Sequence, residues 1–390
     1  MLLLTAGLLL ATIGSAIAAR PDCSGLNALS PRCKTSEALH RREYFYVGGR
    51  YEPSPIPGNE WWVDAVYVEK LTPQGAIERP NPIVFFHGGG TSAVTWLQTP
   101  DNRKGFASYF LDKNYVVYLI DVTSVGRSSS QDLKAYPLVF TGTAEGAEEG
   151  FTAPEIKATY PQATGHTQWP GNGTQGDPAF DAFLKGLIPL ASNSDRQELS
   201  MRDAGCDLLR IIGPSFLVSH SIGAEFPILL SDECPDLIAG NINLEPTTIP
   251  FSNFGLGMAV SRTPRDRPWG LTSTKLNYDP PAALPGELET EVYGEDKPEL
   301  RSCVRLKEPA RKLPNINKVP YVALTGDSSV HITWDHCIIN YLKQVGGKPE
   351  WIKLGERGIK GNGHFLFLEE NNLEIADVVF KWMKDHVKRS

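Results

Sequence analysis

The chain of 390 residues has no excess of basic residues, since 38 Lys and Arg face 45 Asp and Glu, for a formal net charge of -7. This balance argues against nucleic acid as the natural partner, because phosphate backbones are bound mainly by clustered Lys and Arg. After the N-terminal segment, no apolar run approaches the roughly 20 residues that a membrane-spanning helix needs. Internal repeats and low-complexity tracts are lacking too. The composition, 41% hydrophobic and 21% charged, is that of an ordinary globular protein with one large domain or two average ones.

The N-terminus carries a targeting pattern. Residues 2–13 form an apolar run, which is followed by small residues and by Ala16, Ile17 and Ala18. This fits the hydrophobic region and cleavage site of a secretory signal peptide, although no positive charge precedes it. We predict a signal peptide over residues 1–19 and a secreted, extracellular mature chain from residue 20. A membrane anchor is the alternative, which the shortness of the run disfavours.

The cysteines fit the same compartment. There are six, and an even number in a secreted chain indicates disulfides. We expect neighbours along the chain to pair, as Cys23–Cys33, Cys206–Cys234 and Cys303–Cys337. The sequence Asn172-Gly173-Thr174 is an N-x-S/T acceptor, so Asn172 is an expected glycosylation site.

Residues 215–227, SFLVSHSIGAEFP, organise the rest of the chain. They read as a short buried strand followed by a tight turn into a helix. Such a turn projects a serine hydroxyl away from the sheet and aims the next backbone N–H at a developing oxyanion. Ser221 is therefore the candidate nucleophile, and Ile222 is a candidate oxyanion donor. Gly223 fills the second small position of the G-x-S-x-G pattern, but the first position is Ser219, so the match is partial.

The segments around this turn alternate between strands and helices. We predict strands over residues 42–47, 61–69, 83–86, 115–120, 237–244, 319–325 and 350–354, and helices over 103–111, 198–212, 332–344 and 373–387. The first two strands read as an antiparallel pair at a sheet edge. The strand–helix–strand succession that follows implies a parallel sheet with right-handed crossovers. The predicted fold class is therefore α/β, and Pro227 is expected to kink the helix after the turn.

Two long segments interrupt the alternation. Residues 128–194 are rich in Gly, Pro, Thr and aromatic residues, and residues 247–318 contain several prolines. Loops of this length inside a domain are usually functional. We expect both to be insertions in a single domain over 20–390, the first a lid over the active site and the second the rim of the pocket. The alternative is a surface excursion held by its own packing.

A glycine run follows the strand at 83–86. It reads His87-Gly88-Gly89-Gly90, and glycines at the end of a strand let backbone N–H groups approach a substrate oxygen. We favour Gly89 as a second oxyanion donor. The alternative is a glycine turn with no catalytic role.

Three side chains suited to acyl transfer follow separate strands: Ser221, Glu245 and His364. The carboxyl ends of parallel strands share one edge, so we expect the three to converge there. Serine needs a base to become a nucleophile, and the imidazole needs a carboxylate to hold its tautomer. Asp327 is the alternative acid, in the turn 326–329 whose fourth position, the usual place of the acid, is serine. We favour Glu245 because it directly follows the strand next to the nucleophile strand.

The other histidines have less support. His331 and His336, with Asp335 between them, could suggest a metal site, but they lack a companion cluster, and we expect no metal. We expect His220 to point away from the serine into the packing. We expect His87 to brace the glycine run.

Several motifs carry a resemblance to a known family. They are YVGG at 46–49, the stretch 99–121 with GRS at 126–128, QWPG at 168–171, SHSIG at 219–223, LEP at 244–246, PWGLT at 268–272 and GNGH at 361–364. Together they resemble secreted bacterial and fungal esterases of the α/β-hydrolase fold, over nearly the whole mature chain. The resemblance implies a serine hydrolase with the order serine, acid, histidine. It implies that the acid is the glutamate after the strand that follows the nucleophile, and that a first elbow residue other than glycine is tolerated.

The sequence therefore predicts a hydrolase of small-molecule carboxylic esters or lactones that acts through an acyl-enzyme, without metal or organic cofactor. Two alternatives keep the fold. One is a natural-product pathway enzyme that transfers or cyclises an acyl group, with water excluded by the insertions. The other is a catalytically silent binding protein, because a fold does not determine a function.

Overall fold

The computed structural model of the chain describes residues 22–23, 27, 30–34, 36–75, 79–192, 194–254, 260–261 and 267–387. The predicted signal peptide over residues 1–19 lies outside the described residues. The strands are β1 His40–Pro53, β2 Glu60–Pro73, β3 Ile83–Phe86, β4 Val117–Asp121, β5 Leu138–Val139, β6 Leu190–Ala191, β7 Ser215–His220, β8 Ile238–Leu244, β9 Asn253–Phe254, β10 Val260–Ser261, β11 Thr290–Tyr293, β12 Cys303–Leu306, β13 Tyr321–Thr325 and β14 Glu350–Lys353. The α-helices are α1 Phe106–Asp112, α2 Ala144–Ala147, α3 Pro154–Lys157, α4 Pro178–Lys185, α5 Ser194–Ile212, α6 Glu225–Glu233, α7 Asp335–Gln344 and α8 Asn372–Asp385.

Eight strands form the central sheet, in the order β1-β2-β4-β3-β7-β8-β13-β14. The pairs β1–β2 and β2–β4 are antiparallel, and the remaining pairs are parallel. The prediction of an α/β fold with a mostly parallel sheet and an antiparallel pair at one edge is confirmed. Because β7 lies between β3 and β8, the segments that follow these three strands come together at one edge of the sheet.

The inner strands are apolar because the sheet is covered on both faces. Every residue of β3, β4, β7, β8 and β13 is buried. On one face, α1 and α8 supply the aromatic and aliphatic side chains of the larger core. On the other face, α5 and α6 pack against the same strands. This two-sided burial makes the sheet a rigid support for the loops at its edge.

The structure pairs the six cysteines as predicted, in the bonds Cys23–Cys33, Cys206–Cys234 and Cys303–Cys337. The second bond joins α5, which precedes the strand of the candidate nucleophile in the chain, to the residue after α6, which follows that strand. The third joins β12 to α7. None of the helices in the described part of the chain combines the length and hydropathy of a bilayer-spanning segment.

The two interrupting segments contain short elements of their own. The first insertion, residues 128–194, holds α2, α3, α4 and the pair β5–β6, and the second insertion, residues 247–318, holds the pairs β9–β10 and β11–β12. The helix α4 was not predicted, although Asp177 caps it by accepting hydrogen bonds from two backbone N–H groups. An Asp-Pro start is a recognised helix signal.

Pro227 was expected to kink the helix in its interior, but it lies near the start of that helix. A short 3-10 turn, Ser221–Ala224, precedes α6, so α6 begins only at Glu225 and continues to Glu233. Pro227 therefore lies in the first turn of α6. Its missing N–H does no harm there, because the first four N–H groups of a helix have no partner within the helix.

Candidate active site

Ser221 stands at a strained turn between β7 and the 3-10 turn. Its φ of 55° lies in the left-handed region, which a residue with a side chain adopts at a cost of about 1–3 kcal/mol. Gly223 is small for a steric reason, since a Cβ there would lie 2.3 Å from the carbonyl oxygen of His87. Ser219, where the usual pattern has glycine, is accommodated because its hydroxyl donates to Asn243 Oδ1 at 2.8 Å. The turn therefore has the shape expected of a nucleophile elbow.

The glycine run lies directly against this turn. A Cβ on Gly88 would lie 3.2 Å from Ser221 Cβ, and one on Gly89 would lie 3.3 Å from Ile222 Cγ2. His87 braces the run as expected. Its Nε2 accepts from the Val122 N–H at 3.1 Å, so its Nδ1–H donates to the Gly88 carbonyl at 2.9 Å. The two predicted oxyanion residues are thus neighbours.

The structure brings Glu245 and His364 together. Glu245 follows β8 with a φ of 52° and is fully buried, and its Oε2 lies 3.8 Å from His364 Nδ1. This separation is longer than a hydrogen bond. His220, which directly precedes Ser221, packs its ring 4.5 Å from the His364 ring and donates from Nε2 to the His364 carbonyl at 3.0 Å. The elbow, the acid and the histidine therefore occupy one edge of the sheet.

Burial sets the protonation states of this pair. It is the main reason that the pKa of His364 lies well below its ordinary value, and the neighbouring His220 and His331 lower it further. Burial also raises the pKa of Glu245 well above its ordinary value, and the charge of Asp335 adds to this effect. His364 is therefore held neutral, which is the state that a general base requires.

Asp327, the alternative acid, is engaged elsewhere. Its Oδ1 accepts a hydrogen bond from the Gly361 N–H at 2.8 Å. Gly361 belongs to the histidine loop, residues 358–371, which connects the 3-10 turn Leu354–Arg357 to α8. Asp327 thus ties the start of that loop to the end of β13.

His331 was not expected at this site, but the structure places it there. His331 Nδ1 lies 3.1 Å from Asp335 Oδ1 and 3.7 Å from Glu245 Oε2. Its ring stacks on that of His364, with centroids 4.8 Å apart. The signal was present, because His331 and Asp335 are four residues apart at the start of a helix.

Two groups of side chains bring potential metal-binding atoms within 4.8 Å of one another in the part of the chain that the structure describes. One contains Cys303, His336 and Cys337, but its two sulfurs are bonded to each other. The other contains Glu245, His331 and His364. An imidazole binds a metal in the plane of its ring, and these two stacked rings are within 15° of parallel, so a shared ion would require one ring to turn.

The first insertion covers the histidine. The ring of Phe151 lies 4.9 Å from the ring of His364. The Thr167 N–H donates to the Gly361 carbonyl at 3.0 Å, and the Tyr160 hydroxyl donates to the Ser328 carbonyl at 3.0 Å. His364 is in consequence only 5% exposed.

A second buried histidine links the same two segments. His166 Nδ1 lies 2.9 Å from Glu155 Oε2, and its Nε2 lies 3.2 Å from Glu369 Oε1. Burial lowers the pKa of His166, but the hydrogen bond and charge of Glu369, with those of Glu155, raise it above its ordinary value overall. This cluster was not predicted, because His166 and Glu369 lie 203 residues apart in the sequence.

The second insertion also contacts the site. The Thr247 N–H donates to the Ser221 carbonyl at 3.3 Å. Glu198 in α5 holds this insertion by accepting from the N–H groups of Ser273 at 2.9 Å and Thr274 at 2.6 Å. Burial, with the charge of Glu225, raises the pKa of Glu198 to about 7.

Comparison with known proteins gives one family match. A sequence model of the Alpha/beta hydrolase family matches residues 83–378. Over 346 residues, the chain is 39% identical to a protein described as "Probable secreted lipase phiG" from Fungal sp. (strain ATCC 74256), and the alignment covers 87% of this chain and 89% of that protein.

Two solved structures are similar to the chain to different degrees. A novel bacterial esterase superposes with a TM-score of 0.59 at 21% identity, covering 91% of this chain and 99% of its own. The naproxen esterase (carboxylesterase NP) of Bacillus subtilis gives a TM-score of 0.43 at 13% identity, covering 88% and 92%. The first of these likenesses supports the fold.

Proposed function

This chain belongs to the alpha/beta hydrolase family, and we propose from that premise that it is a secreted serine hydrolase of carboxylic esters or lactones. The observation that carries the proposal is the convergence of three parts at one sheet edge: the strained Ser221 turn, the buried Glu245 and the neutral His364. The 39% identical protein bears the name of a secreted lipase, which supports an ester as the substrate class.

The proposed reaction passes through an acyl-enzyme. Ser221 Oγ attacks the carbonyl carbon while His364 takes its proton, and the oxyanion is held by the N–H groups of Gly89 and Ile222. His364 returns the proton to the alcohol oxygen, which leaves. A water molecule then attacks the acyl carbon, giving its proton to His364, and Ser221 leaves with that proton as the carboxylic acid forms.

Glu245 acts on the histidine in this scheme. It stabilises the imidazolium that forms when His364 takes the proton, and it holds the ring in the tautomer that presents a free nitrogen to the serine. The 3.8 Å between Glu245 Oε2 and His364 Nδ1 has to shorten when substrate binds. Catalytic hydrogen bonds are often long before the substrate complex forms.

The disulfides and the description of the relative support secretion. Three disulfides are typical of proteins made in an oxidising compartment, and the relative is described as secreted.

Asn172 is exposed, so we include a glycan there in the proposal. When the protein is expressed in a fungal host and collected from the culture medium, an endoglycosidase should lower its apparent mass. Asn172→Gln should abolish that mass shift. A wild-type protein whose apparent mass does not change on endoglycosidase treatment would contradict a glycan at Asn172.

The covered histidine favours one further outcome. Because Phe151 shields His364 from water, an acyl-enzyme could pass its acyl group to an alcohol instead. Trapping the acyl-enzyme and offering it water or an alcohol would identify the acceptor. Exclusive release of the acid would leave hydrolysis as the reaction.

The central test compares the two serines of the elbow. Ser221→Ala should lose ester hydrolysis by a factor of about 10³ or more and should lose labelling by a fluorophosphonate. Ser219→Ala is the matched control and should keep the label. Full labelling of Ser221→Ala would identify another nucleophile, and a wild-type protein that turns over neither esters nor lactones would favour a silent binding protein.

A further inference from the structure

Ser329 occupies the place where the sequence pattern of the 326–329 turn expects the catalytic acid. It is 1% exposed, and its hydroxyl donates to Glu245 Oε2. That is the same oxygen that lies 3.8 Å from His364 Nδ1. The His331 N–H donates to Ser329 Oγ at 3.2 Å, which leaves the hydroxyl hydrogen directed at the carboxylate.

The turn holds both oxygens of the carboxylate. Glu245 Oε1 accepts from the Gly326 N–H at 2.6 Å, while Oε2 accepts from Ser329. Two donors on one rigid turn define the position and the rotation of the carboxylate. Of these donors, only Ser329 acts on the oxygen that faces the histidine.

We propose that Ser329 is a positioning residue of the catalytic acid, aiming Glu245 Oε2 at His364 and stabilising its ionised form. The inference rests on the proposed function, because it assigns Ser329 a role through Glu245. It also implies that position 329 faces the histidine closely enough for a carboxylate placed there to serve in place of Glu245.

The electrostatic surroundings explain why such a donor is needed. The titratable groups that face Glu245 among the described residues are His331, Asp335, His364, Glu369 and Tyr160. Burial, and after it the charges of Asp335 and Glu369, oppose ionisation of Glu245. A hydrogen bond donated to a carboxylate favours the ionised form, so Ser329 counteracts them.

The first test is Ser329→Ala, with Ser328→Ala as the matched control. Ser328 is equally buried but donates to Asp327. We expect Ser329→Ala to lower kcat about tenfold, the size of a lost hydrogen bond to a charged group, with KM unchanged. The acid limb of the pH profile should move to lower pH, since a Glu245 that ionises less readily stabilises the His364 imidazolium less, and the pKa of His364 falls. Ser329→Thr, which keeps the hydroxyl, should reverse both changes, and Ser328→Ala should show neither.

The second test relocates the acid. Glu245→Gln should be strongly impaired, and the double variant Glu245→Gln with Ser329→Asp should recover at least about tenfold in kcat over the single one. Wild-type kcat and pH profile in Ser329→Ala would overturn the positioning role. Absence of recovery in the double variant would overturn the claim that position 329 faces His364. A fully active Glu245→Gln would instead contradict the proposed function.

Discussion

His166 and Glu369 form a pair enclosed by the protein, with His166 Nε2 3.2 Å from Glu369 Oε1 and side-chain exposures of 1% and 0%. The same Glu369 oxygen accepts from the Gly363 N–H at 2.8 Å, directly before His364. The pair therefore fastens the first insertion to the loop that carries the candidate base.

We predict that this pair makes stability depend on pH. The pKa of His166 is raised in the folded protein, so its contribution is complete below the unfolded-state pKa of about 6.5. It is lost as the pH rises through the folded-state pKa. His166→Gln should lower the free energy of unfolding by about 3 kcal/mol at low pH, and the deficit should shrink as the pH rises. Urea unfolding of both proteins across this range measures it.

The control for this prediction is Glu155→Gln. Glu155 contacts the other nitrogen of His166 but is 35% exposed, so its removal should cost less than the loss of His166 itself. A deficit in His166→Gln that stays constant from acid to alkaline pH would contradict a contribution from the protonated imidazole.

Removal of Phe151 should alter the pH profile of hydrolysis. Its ring covers His364, and burial is the main cause of the low pKa of that histidine. In Phe151→Ala water reaches the imidazole, its pKa rises, and the base is protonated up to a higher pH. The acid limb of kcat/KM should therefore move upward. Phe140→Ala is the control in the same insertion, because Phe140 is 74% exposed. Equal shifts in both variants would contradict a covering role of Phe151.

The elbow should tolerate no side chain at Gly223. A Cβ there would lie 2.3 Å from the His87 carbonyl oxygen, so Gly223→Ala must push the oxyanion run away from the turn. We expect a loss of about 1–3 kcal/mol and a lower kcat. Gly142→Ala, where a Cβ meets nothing within 4 Å, should leave the thermal midpoint unchanged or slightly higher. A wild-type midpoint and kcat in Gly223→Ala would show that the contact relaxes freely.

The disulfides should differ in their contributions to stability. Cys206–Cys234 spans a sequence separation of 28 and joins α5 to the residue after α6, so replacing both cysteines by alanine should cost about 3–4 kcal/mol. Cys23–Cys33 closes a separation of 10 before the first strand and should hardly affect global unfolding. Calorimetry of the two double variants measures the difference, and equal losses would contradict it.

Local sequence patterns were sufficient to predict the central strands and the turn at Ser221. The apolar runs at β3, β7 and β8 predicted buried parallel strands, and the elbow turn followed from the residues around Ser221. The pairing of neighbouring cysteines agrees with the structure, and Cys206–Cys234 and Cys303–Cys337 each join elements that pack against one another. The misplaced kink at Pro227 arose where two helical turns of different type meet, a boundary that residue propensities do not mark.

Sequence therefore determined the α/β class and the segments that supply Ser221, Glu245 and His364, since strand periodicity and turn chemistry are encoded locally. Tertiary structure alone decided that Ser329 donates to Glu245 and that His166 meets Glu369. These contacts join residues 84 and 203 positions apart. They depend on which strands become neighbours and on how the insertions fold back over the sheet. The residues of a single segment determine neither of these.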